Sequence, residues 1–263
     1  MASKSMFDLS GKVALVTGAS SGMGKAICEA LAEYGADVAC DDLLENSARE
    51  TAESLKKFGH RSIGISGDAF EESSIQQMVE STVKQLGTID IVFAHAGIVD
   101  TTPARIHELS VADWDRVASR YIRGIFILMK TVFPIMMKKK SGNFITTSAA
   151  TALFPLPPVG NLHLATSYIT SKSAVIMLTK IAARQYGEYG IRANIICPGY
   201  HKSLHHIADA EPMDNMEEFI KNMTPLGRVG ESSDIKGLAV YLASDASRFV
   251  TGQIVTEDGG FMA

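Results

Sequence analysis

Cysteine is scarce in this chain, and its three residues are too few and too widely spaced to form a disulfide framework. They are Cys28, Cys40 and Cys197. Cys28 falls in a helical pattern and Cys40 in an apolar strand pattern, so both are predicted to be small core residues. No metal site is expected either, because the histidines at 201, 205 and 206 match no familiar ligand spacing and no cysteine accompanies them.

The sequence also lacks a long apolar run and a strong excess of either charge. No stretch of 18 apolar residues occurs and residues 1–9 show no signal-peptide pattern, so we expect a cytoplasmic protein with no membrane partner. The net charge of −4 combines 25 basic and 29 acidic residues. The one basic run, Lys138 to Lys140, follows an apolar helical segment and predicts a solvated helix end rather than a nucleic-acid site.

Apolar strand patterns alternate with helical patterns along almost the whole chain of 263 residues. This alternation predicts βαβ crossovers, and hence one α/β domain over residues 1–263, with a doubly wound parallel sheet of the Rossmann type and helices on both faces. The predicted strands are Val13–Val16, Asp37–Cys40, Ser62–Ile65, Ile89–Phe93, Asn143–Thr147, Arg192–Ile196 and Gln253–Thr256. The predicted helices are one around Ile27 to Tyr34, then Ala48–Phe58, Ser73–Leu86, Val111–Met137, Tyr168 to about Tyr186, and Ser233–Ala243.

A glycine-rich loop, Thr17 to Gly24, lies between the first strand and the first helix. Gly18 permits a tight turn, Gly22 lets the backbone approach a phosphate, and Gly24 allows close packing of helix and strand. The free N–H groups and the dipole of the helix N-terminus favour an anion. The loop therefore predicts a dinucleotide site. Its predicted cofactor-binding residues are Gly18, Ser20, Ser21, Gly22, Met23 and Gly24.

Asp42 ends the second strand 18 residues after Gly24, where a carboxylate accepts hydrogen bonds from a ribose diol and repels a 2′-phosphate. No arginine or lysine lies between Asp37 and Asn46, so NAD is favoured over NADP. Asp41 is an alternative for the ribose role, and either residue is also consistent with helix capping. Asp68, with Ala69 after the third strand, is predicted either to contact the adenine or to cap the next helix.

Tyr168 and Lys172 are four residues apart in a predicted helix, so the phenol and the ammonium share one face. A nearby cation favours phenolate over phenol and lowers the pKa of a tyrosine. Together with the glycine loop, this pair predicts proton transfer beside a dinucleotide.

The chain resembles the short-chain dehydrogenases/reductases over nearly its whole length. The resemblance rests on the glycine loop, Tyr168/Lys172 and further motifs: Asp68, Ala96-Gly97, Ser148, Pro198-Gly199 and Asp258-Gly259-Gly260. It implies a single-domain Rossmann-like fold, commonly tetrameric, that transfers hydride between NAD(P) and an alcohol or carbonyl carbon. A homotetramer, or at least a homo-oligomer, is therefore expected.

The resemblance also implies the roles of individual residues. Tyr168 would be the acid/base, Lys172 would lower its pKa and hold the nicotinamide ribose, and Ser148 would hydrogen-bond the substrate oxygen. Ala96 and Gly97 would line the cofactor site, and Pro198, Gly199 and Ser203 would flank or contact the nicotinamide.

Three departures from the family pattern stand out. Tyr121 occupies the position where the family usually has an asparagine that supports a proton relay. Either the tyrosine hydroxyl substitutes for the asparagine, or the relay runs differently. Ala94-His95 replaces two asparagines, and His95 is predicted to be a packed histidine rather than a titrating group. An apolar, proline-rich insert at about 152–165 lengthens the spacing between Ser148 and Tyr168. It is predicted to form part of the substrate wall, with a subunit contact as the alternative.

Residues 200–226 match the family's variable substrate-binding region and are rich in methionine and histidine. Its histidines fit an anionic or polyhydroxylated ligand, although solvated lid residues are the favoured interpretation. The sequence therefore predicts an NAD-dependent oxidoreductase for a secondary alcohol/ketone pair, with a partly apolar substrate that is cyclic or aromatic. The alternatives are a sugar or polyol dehydrogenase and a noncatalytic NAD-binding scaffold or sensor.

Overall fold

A seven-stranded parallel sheet forms the centre of the molecule in the computed structural model, which describes residues 5–97, 104–154, 165–202 and 214–263. The sheet strands are β1 Val13–Thr17, β2 Asp37–Asp42, β3 Ser62–Ser66, β4 Ile91–Ala94, β5 Gly142–Thr147, β6 Ile191–Pro198 and β9 Ile254–Glu257. The short strands β7 His201–Lys202 and β8 Gly230–Glu231 pair separately. The helices are α1 Gly22–Glu33, α2 Glu45–Leu55, α3 Glu72–Leu86, α4 Val111–Ala118, α5 Gly124–Lys139, α6 Thr166–Tyr186, α7 Asp214–Met223 and α8 Ile235–Ala243.

The strand order β3-β2-β1-β4-β5-β6-β9 confirms the predicted Rossmann-like, doubly wound fold. All seven predicted strands are present, with ends that differ by one or a few residues. The order reverses between β1 and β4, which pair in parallel at Leu15 and Val92. This is the switch point where open α/β sheets bind ligands, beyond the carboxyl ends of the strands.

Alternating side chains of the strands supply two apolar cores, one on each face of the sheet. One core packs α1 and α8 against β1 and β2 around Leu31, Val38 and Leu242. The other packs α3 and α5 against β4 and β5, with Phe133 and Phe144 in edge-to-face contact at 5.5 Å between ring centroids. The three cysteines are free and buried, which confirms the prediction made for Cys28 and Cys40.

Two regions differ from the sequence-based prediction. The predicted helix Val111–Met137 is interrupted by a π-helical turn, Ser119–Arg123, that separates α4 from α5. The region after Tyr200, expected to be an excursion, contains α7 and the β7/β8 pair. The Lys138–Lys140 run does end α5, with Lys140 in the left-handed conformation. Within the described residues, no helix is both long enough and apolar enough to cross a membrane.

Candidate active site

The glycine loop has a backbone shape that excludes side chains. Gly18 and Gly22 have φ angles of 70° and 51°, in the left-handed region that favours glycine. A Cβ on Gly18 would lie 2.9 Å from the Ala96 Cα, and one on Gly24 would lie 1.9 Å from the Gly18 carbonyl oxygen. The loop is also tied to β2, because the Ala19 amide donates to the Asp41 carbonyl at 2.9 Å.

The first turn of α1 offers hydrogen-bond donors without internal partners. Ser21 is the N-cap but makes no side-chain capping bond, and the first turn has no acidic residue. The Ser20 hydroxyl oxygen is buried and has no hydrogen-bond partner among the described residues. Unpaired N–H groups, a positive helix end and a free hydroxyl together suit a pyrophosphate. The loop therefore fits a dinucleotide on its own geometry.

At the end of β2, the structure distinguishes Asp42 from Asp41. The Asp42 carboxylate is half-buried and accepts hydrogen bonds from the Ser20 amide at 3.2 Å and the Leu44 amide at 3.3 Å. The Asp41 side chain is only 1% exposed. Its burial, followed by the charges of Asp42 and Asp68, raises its pKa well above the usual range. Asp42 is therefore the carboxylate that faces the glycine loop, whereas Asp41 is buried and its pKa is raised.

The loop after β3 brings Asp68 and Ala69 to the same end of the sheet. Asp68 accepts a hydrogen bond from the Phe70 amide at 2.9 Å, while its own amide donates to the Ser74 hydroxyl at 2.7 Å. Glu71 is the N-cap of α3, so Asp68 shapes the turn before that helix rather than capping it. Ala69 lines the cleft at the switch point.

Thr17 joins the two strands at the switch point, a role that the sequence analysis missed. Its hydroxyl oxygen accepts from the His95 amide at 3.1 Å and the Ala96 amide at 3.0 Å, which places Ala96 and Gly97 beside the glycine loop. A threonine at a strand end directly before the glycines was the available signal. His95 Nδ1 lies 3.1 Å from the Thr147 hydroxyl.

His95 is a packed, neutral histidine, as predicted. Burial, followed by the charges of Lys172 and His201, lowers its pKa to about 4. It therefore carries no charge near pH 7. Its ring lies against the glycine loop, since a Cβ on Gly24 would lie 3.0 Å from the His95 Cδ2.

The structure brings Ser148, Tyr168 and Lys172, the Ser–Tyr–Lys cluster, to the carboxyl end of β5. Ser148 follows β5 directly, and its hydroxyl donates to the Lys172 carbonyl at 2.7 Å. The Lys172 ammonium donates to the Thr147 carbonyl at 2.9 Å. Tyr168 lies one helical turn before Lys172 on α6, as the spacing predicts. The Thr147 carbonyl is a backbone group for which the sequence carries no specific signal.

Burial controls the acid–base properties of this cluster. It lowers the pKa of Lys172 to about 8, because an ammonium loses hydration inside the protein. It raises the pKa of Tyr168 to about 12, with the thiol of Cys197 adding to the shift. The expected lowering of the Tyr168 pKa by Lys172 is therefore not found here, because burial is the largest influence on this phenol.

Tyr121 completes the wall of the cleft from the π-helical turn. Its ring is 4% exposed and meets the Tyr168 ring edge-to-face, with 5.6 Å between centroids. The Lys172 ammonium lies 4.7 Å from the centroid of the Tyr121 ring. A Cβ on Gly97 would lie 3.2 Å from the Tyr121 hydroxyl oxygen, so Gly97 allows the tyrosine to approach the glycine-loop side.

The end of β6 closes the opposite side of the cleft. Pro198 is its last residue, and the Gly199 amide donates to the Glu257 carbonyl at 2.9 Å. A Cβ on Gly199 would lie 2.7 Å from the Asp258 Cβ, so the strand end packs against the C-terminal glycine motif. Ser203 lies outside the described residues, as do 155–164 of the apolar insert and 203–213 of the substrate region.

His201 is buried and forms an ion pair with Glu257, so the favoured interpretation of the histidines as solvated lid residues is wrong for this one. His201 Nε2 is 2.8 Å from Glu257 Oε2. Asp234 is close enough to complete a three-ligand group, but both of its carboxylate oxygens bind the Arg228 guanidinium, at 2.6 and 3.0 Å. The arrangement is therefore that of an ion-pair network.

Comparisons with known proteins agree with this geometry. A family model described as enoyl-(acyl carrier protein) reductase matches residues 18–262. The chain is 34% identical over 252 residues to cis-4-hydroxycyclohexanecarboxylate dehydrogenase of Sinomonas cyclohexanicum, covering 96% of this chain and 97% of that one. It is 33% identical over 257 residues to 2-dehydro-3-deoxy-D-gluconate 5-dehydrogenase of Dickeya dadantii, covering 98% of each.

The crystal structure of a short-chain type dehydrogenase/reductase from Mycobacterium marinum superimposes with a TM-score of 0.88 at 31% identity, covering 98% of both chains. By sequence and by fold, the chain belongs to the short-chain dehydrogenase/reductase family of oxidoreductases, which bind a nicotinamide cofactor.

Proposed function

We propose that this oxidoreductase transfers a hydride between NAD(H) and a secondary alcohol/ketone pair. The observation that carries the proposal is the convergence of Ser148, Tyr168 and Lys172 beside the glycine loop at the switch point of the sheet. A hydroxyl, a phenol and an ammonium at one cleft supply the proton chemistry that alcohol oxidation requires. The cofactor, when bound, supplies the hydride acceptor or donor.

In this mechanism Tyr168 takes the alcohol proton during oxidation and returns it during reduction. Lys172, with a pKa of about 8, is mostly protonated at neutral pH, and its positive charge favours the phenolate of Tyr168. The Ser148 hydroxyl, which donates to the Lys172 carbonyl, would turn to donate to the substrate oxygen as negative charge develops there.

The preference for NAD rests on the end of β2. The Asp42 carboxylate faces the glycine loop, where a carboxylate suits a ribose diol and repels a 2′-phosphate. The next two residues, Leu43 and Leu44, are exposed and apolar, so they offer a 2′-phosphate no cation.

A cyclic, partly apolar substrate is the specific form of the proposal. Leu153 and Phe154 are the described residues at the start of the apolar insert, a few positions after Ser148, and both are exposed. The relative from Sinomonas is named for a hydroxycyclohexane carboxylate, a cyclic secondary alcohol. The relative from Dickeya is named for a sugar acid, which keeps a sugar or polyol as the alternative substrate class.

A homo-oligomer, with a tetramer as the expected form, is part of the same proposal. Phe126 of α5 and Met177 of α6 are each more than half exposed, and Ile181 is 44% exposed one turn beyond Met177. Large apolar side chains on neighbouring helices are typical of a subunit contact. Light scattering after size-exclusion chromatography would test this directly, because a monomer would contradict it.

The test of function is reduction of NAD⁺ and NADP⁺ with a panel of cyclic secondary alcohols, linear secondary alcohols and polyols. We expect turnover with NAD⁺ and cyclic alcohols, lost in Tyr168→Phe. Preference for NADP⁺ would refute the Asp42 argument, and faster turnover of polyols would favour the alternative substrate class. NADH binding without turnover of any alcohol or ketone would indicate the noncatalytic alternative.

A further inference from the structure

Tyr121 lies on an irregular turn at the position where the family resemblance places an asparagine. The turn Ser119–Arg123 is π-helical, which inserts one extra residue into the helical path between α4 and α5. Such turns are rare and occur frequently at functional sites. Tyr121 is buried there between Phe70, whose ring centroid is 5.8 Å away, and Tyr168 at 5.6 Å.

The face of the Tyr121 ring lies against the Lys172 ammonium. The distance from Nζ to the ring centroid is 4.7 Å, against 5.7 Å for the Tyr168 ring. The ammonium has one hydrogen bond to protein in the described structure, to the Thr147 carbonyl. A buried ammonium loses hydration, and an aromatic face within about 6 Å compensates part of that loss.

The other groups that face Lys172 carry no negative charge near neutral pH. His95, which follows β4, is neutral because burial lowers its pKa to about 4. Cys197 of β6 and Tyr168 of α6 both have a pKa that burial raises. The Cys197 thiol favours the charged form of Lys172, and the Thr147 carbonyl accepts a hydrogen bond from it. The faces of the two aromatic rings add to these contributions.

We propose that Tyr121 is a positioning residue that holds Lys172 in its charged form through the face of its ring, rather than through its hydroxyl. This inference rests on the proposed function, in which Lys172 assists proton transfer at Tyr168. This proposal differs from a relay in which the hydroxyl takes the place of the asparagine amide. It predicts that phenylalanine at position 121 keeps Lys172 charged as well as tyrosine does, and that asparagine does not.

The direct test is the titration of Lys172 by NMR in protein labelled with ¹³C-lysine, with the resonance assigned by Lys172→Arg. We expect Tyr121→Phe to leave the pKa of Lys172 within about 0.3 units of wild type, and Tyr121→Leu to lower it by about one unit. Phe70→Leu is the matched control. It removes an aromatic ring that packs on Tyr121, and it should leave the titration of Lys172 unchanged.

A second series removes the concern that leucine disturbs the packing. Phenylalanine and 3,4,5-trifluorophenylalanine at position 121 have similar shapes, but fluorination weakens the negative face of the ring. The fluorinated variant should lower the pKa of Lys172 relative to phenylalanine. Equal pKa values in this pair, or a loss in Tyr121→Phe as large as in Tyr121→Leu, would overturn the proposal.

Kinetics supply the functional measurement. During alcohol oxidation, loss of the lysine charge raises the pKa of Tyr168, so the rising limb of kcat against pH should move to higher pH in Tyr121→Leu and Tyr121→Asn. It should not move in Tyr121→Phe. The titration of Lys172 needs no substrate, so it tests the ring contact even if no alcohol is turned over. Absence of all turnover in wild type would contradict the proposed function and would leave the result of the titration unaffected.

Discussion

The glycine loop and the Ser–Tyr–Lys cluster lie at the same edge of the sheet but are built by different means. In the loop, the backbone itself forms the site, since a Cβ on Gly18 or Gly24 would collide with neighbouring atoms. In the cluster, the site consists of buried side chains whose pKa values are set by desolvation. The loop should therefore be sensitive to added volume, and the cluster to changes in charge or hydrogen bonding.

This difference separates binding from chemistry. Backbone amides and a helix N-terminus bind an anion at any pH in the physiological range, because none of them titrates. A phenol with a pKa near 12 and an ammonium with a pKa near 8 depend on pH and on each other. Substitutions in the two regions should accordingly affect the Kd for the cofactor in one case and kcat in the other.

The largest expected effect is that of Tyr168→Phe, which removes the proton acceptor and keeps the ring. We expect kcat to fall by about 10³-fold or more, since general acid–base catalysis contributes about 10²–10⁴-fold. The Kd for NADH, measured by fluorescence, should stay within about threefold of wild type, because the glycine loop is untouched. A parallel loss of NADH binding would contradict the separation of the two regions.

Next in size is Gly24→Ala. The added Cβ would lie 1.9 Å from the Gly18 carbonyl oxygen, so the loop must shift away from the start of α1. We expect the Kd for NADH to rise by about 100-fold, equivalent to about 3 kcal/mol, with a smaller loss of thermal stability.

Gly237→Ala is the matched control for Gly24→Ala, because both glycines lie in helices but a Cβ on Gly237 meets no atom within 4 Å. It should leave NADH binding unchanged and stabilise the fold by up to about 1 kcal/mol. Equal NADH affinities in the two variants would show that the close contact in the glycine loop is unimportant.

A smaller effect is expected for Asp42→Asn. The amide keeps the size of the side chain but removes the charge that repels a 2′-phosphate and strengthens hydrogen bonds to a diol. The ratio of kcat/KM for NAD⁺ to that for NADP⁺ should fall by about tenfold, because one charged hydrogen bond contributes about 1.5–3 kcal/mol. Asp41→Asn, at the buried neighbour, should leave this ratio unchanged.

The sequence predicted the architecture better than the electrostatics. Apolar strand patterns identified all seven strands of the sheet, and the Tyr168/Lys172 spacing placed both residues on α6. The π-helical turn was missed because one inserted residue hardly changes the apolar periodicity of Val111–Met137. The helix α7 was missed because its ten residues are mostly polar and methionine-rich.

Within the site, the limit of prediction was burial. Asp41 and Asp42 are adjacent acids at a strand end, and a change of one position moves a side chain to the opposite face of the sheet. The sequence therefore favoured Asp42 for the ribose role but kept Asp41 as an alternative, because the burial of Asp41 was not known. The pKa of Tyr168 could not be predicted for the same reason. A nearby cation lowers the pKa of a tyrosine and desolvation raises it, and the sequence alone does not give the size of either effect.

The smallest expected effect concerns the pair of His201, in the substrate region, and Glu257. Burial alone lowers the pKa of His201, but the hydrogen bond and the charge of Glu257 outweigh it and raise the pKa above the usual value. A histidine whose pKa is raised in the folded state stabilises the fold fully below the unfolded pKa of about 6.5. That contribution is lost as the pH rises through the folded-state pKa.

Glu257→Gln tests this pair because it removes the charge and keeps the shape of the side chain. The Tm of wild type should fall between pH 6 and pH 9 by about 2–4 °C more than that of the variant, which corresponds to about 1 kcal/mol for a protein of this size. Glu231→Gln, an exposed acid on β8, is the control and should follow wild type. Equal pH dependence in wild type and Glu257→Gln would mean that Glu257 does not raise the pKa of His201. The expected difference would make this pair, like the Ser–Tyr–Lys cluster and unlike the glycine loop, a region whose properties depend on pH.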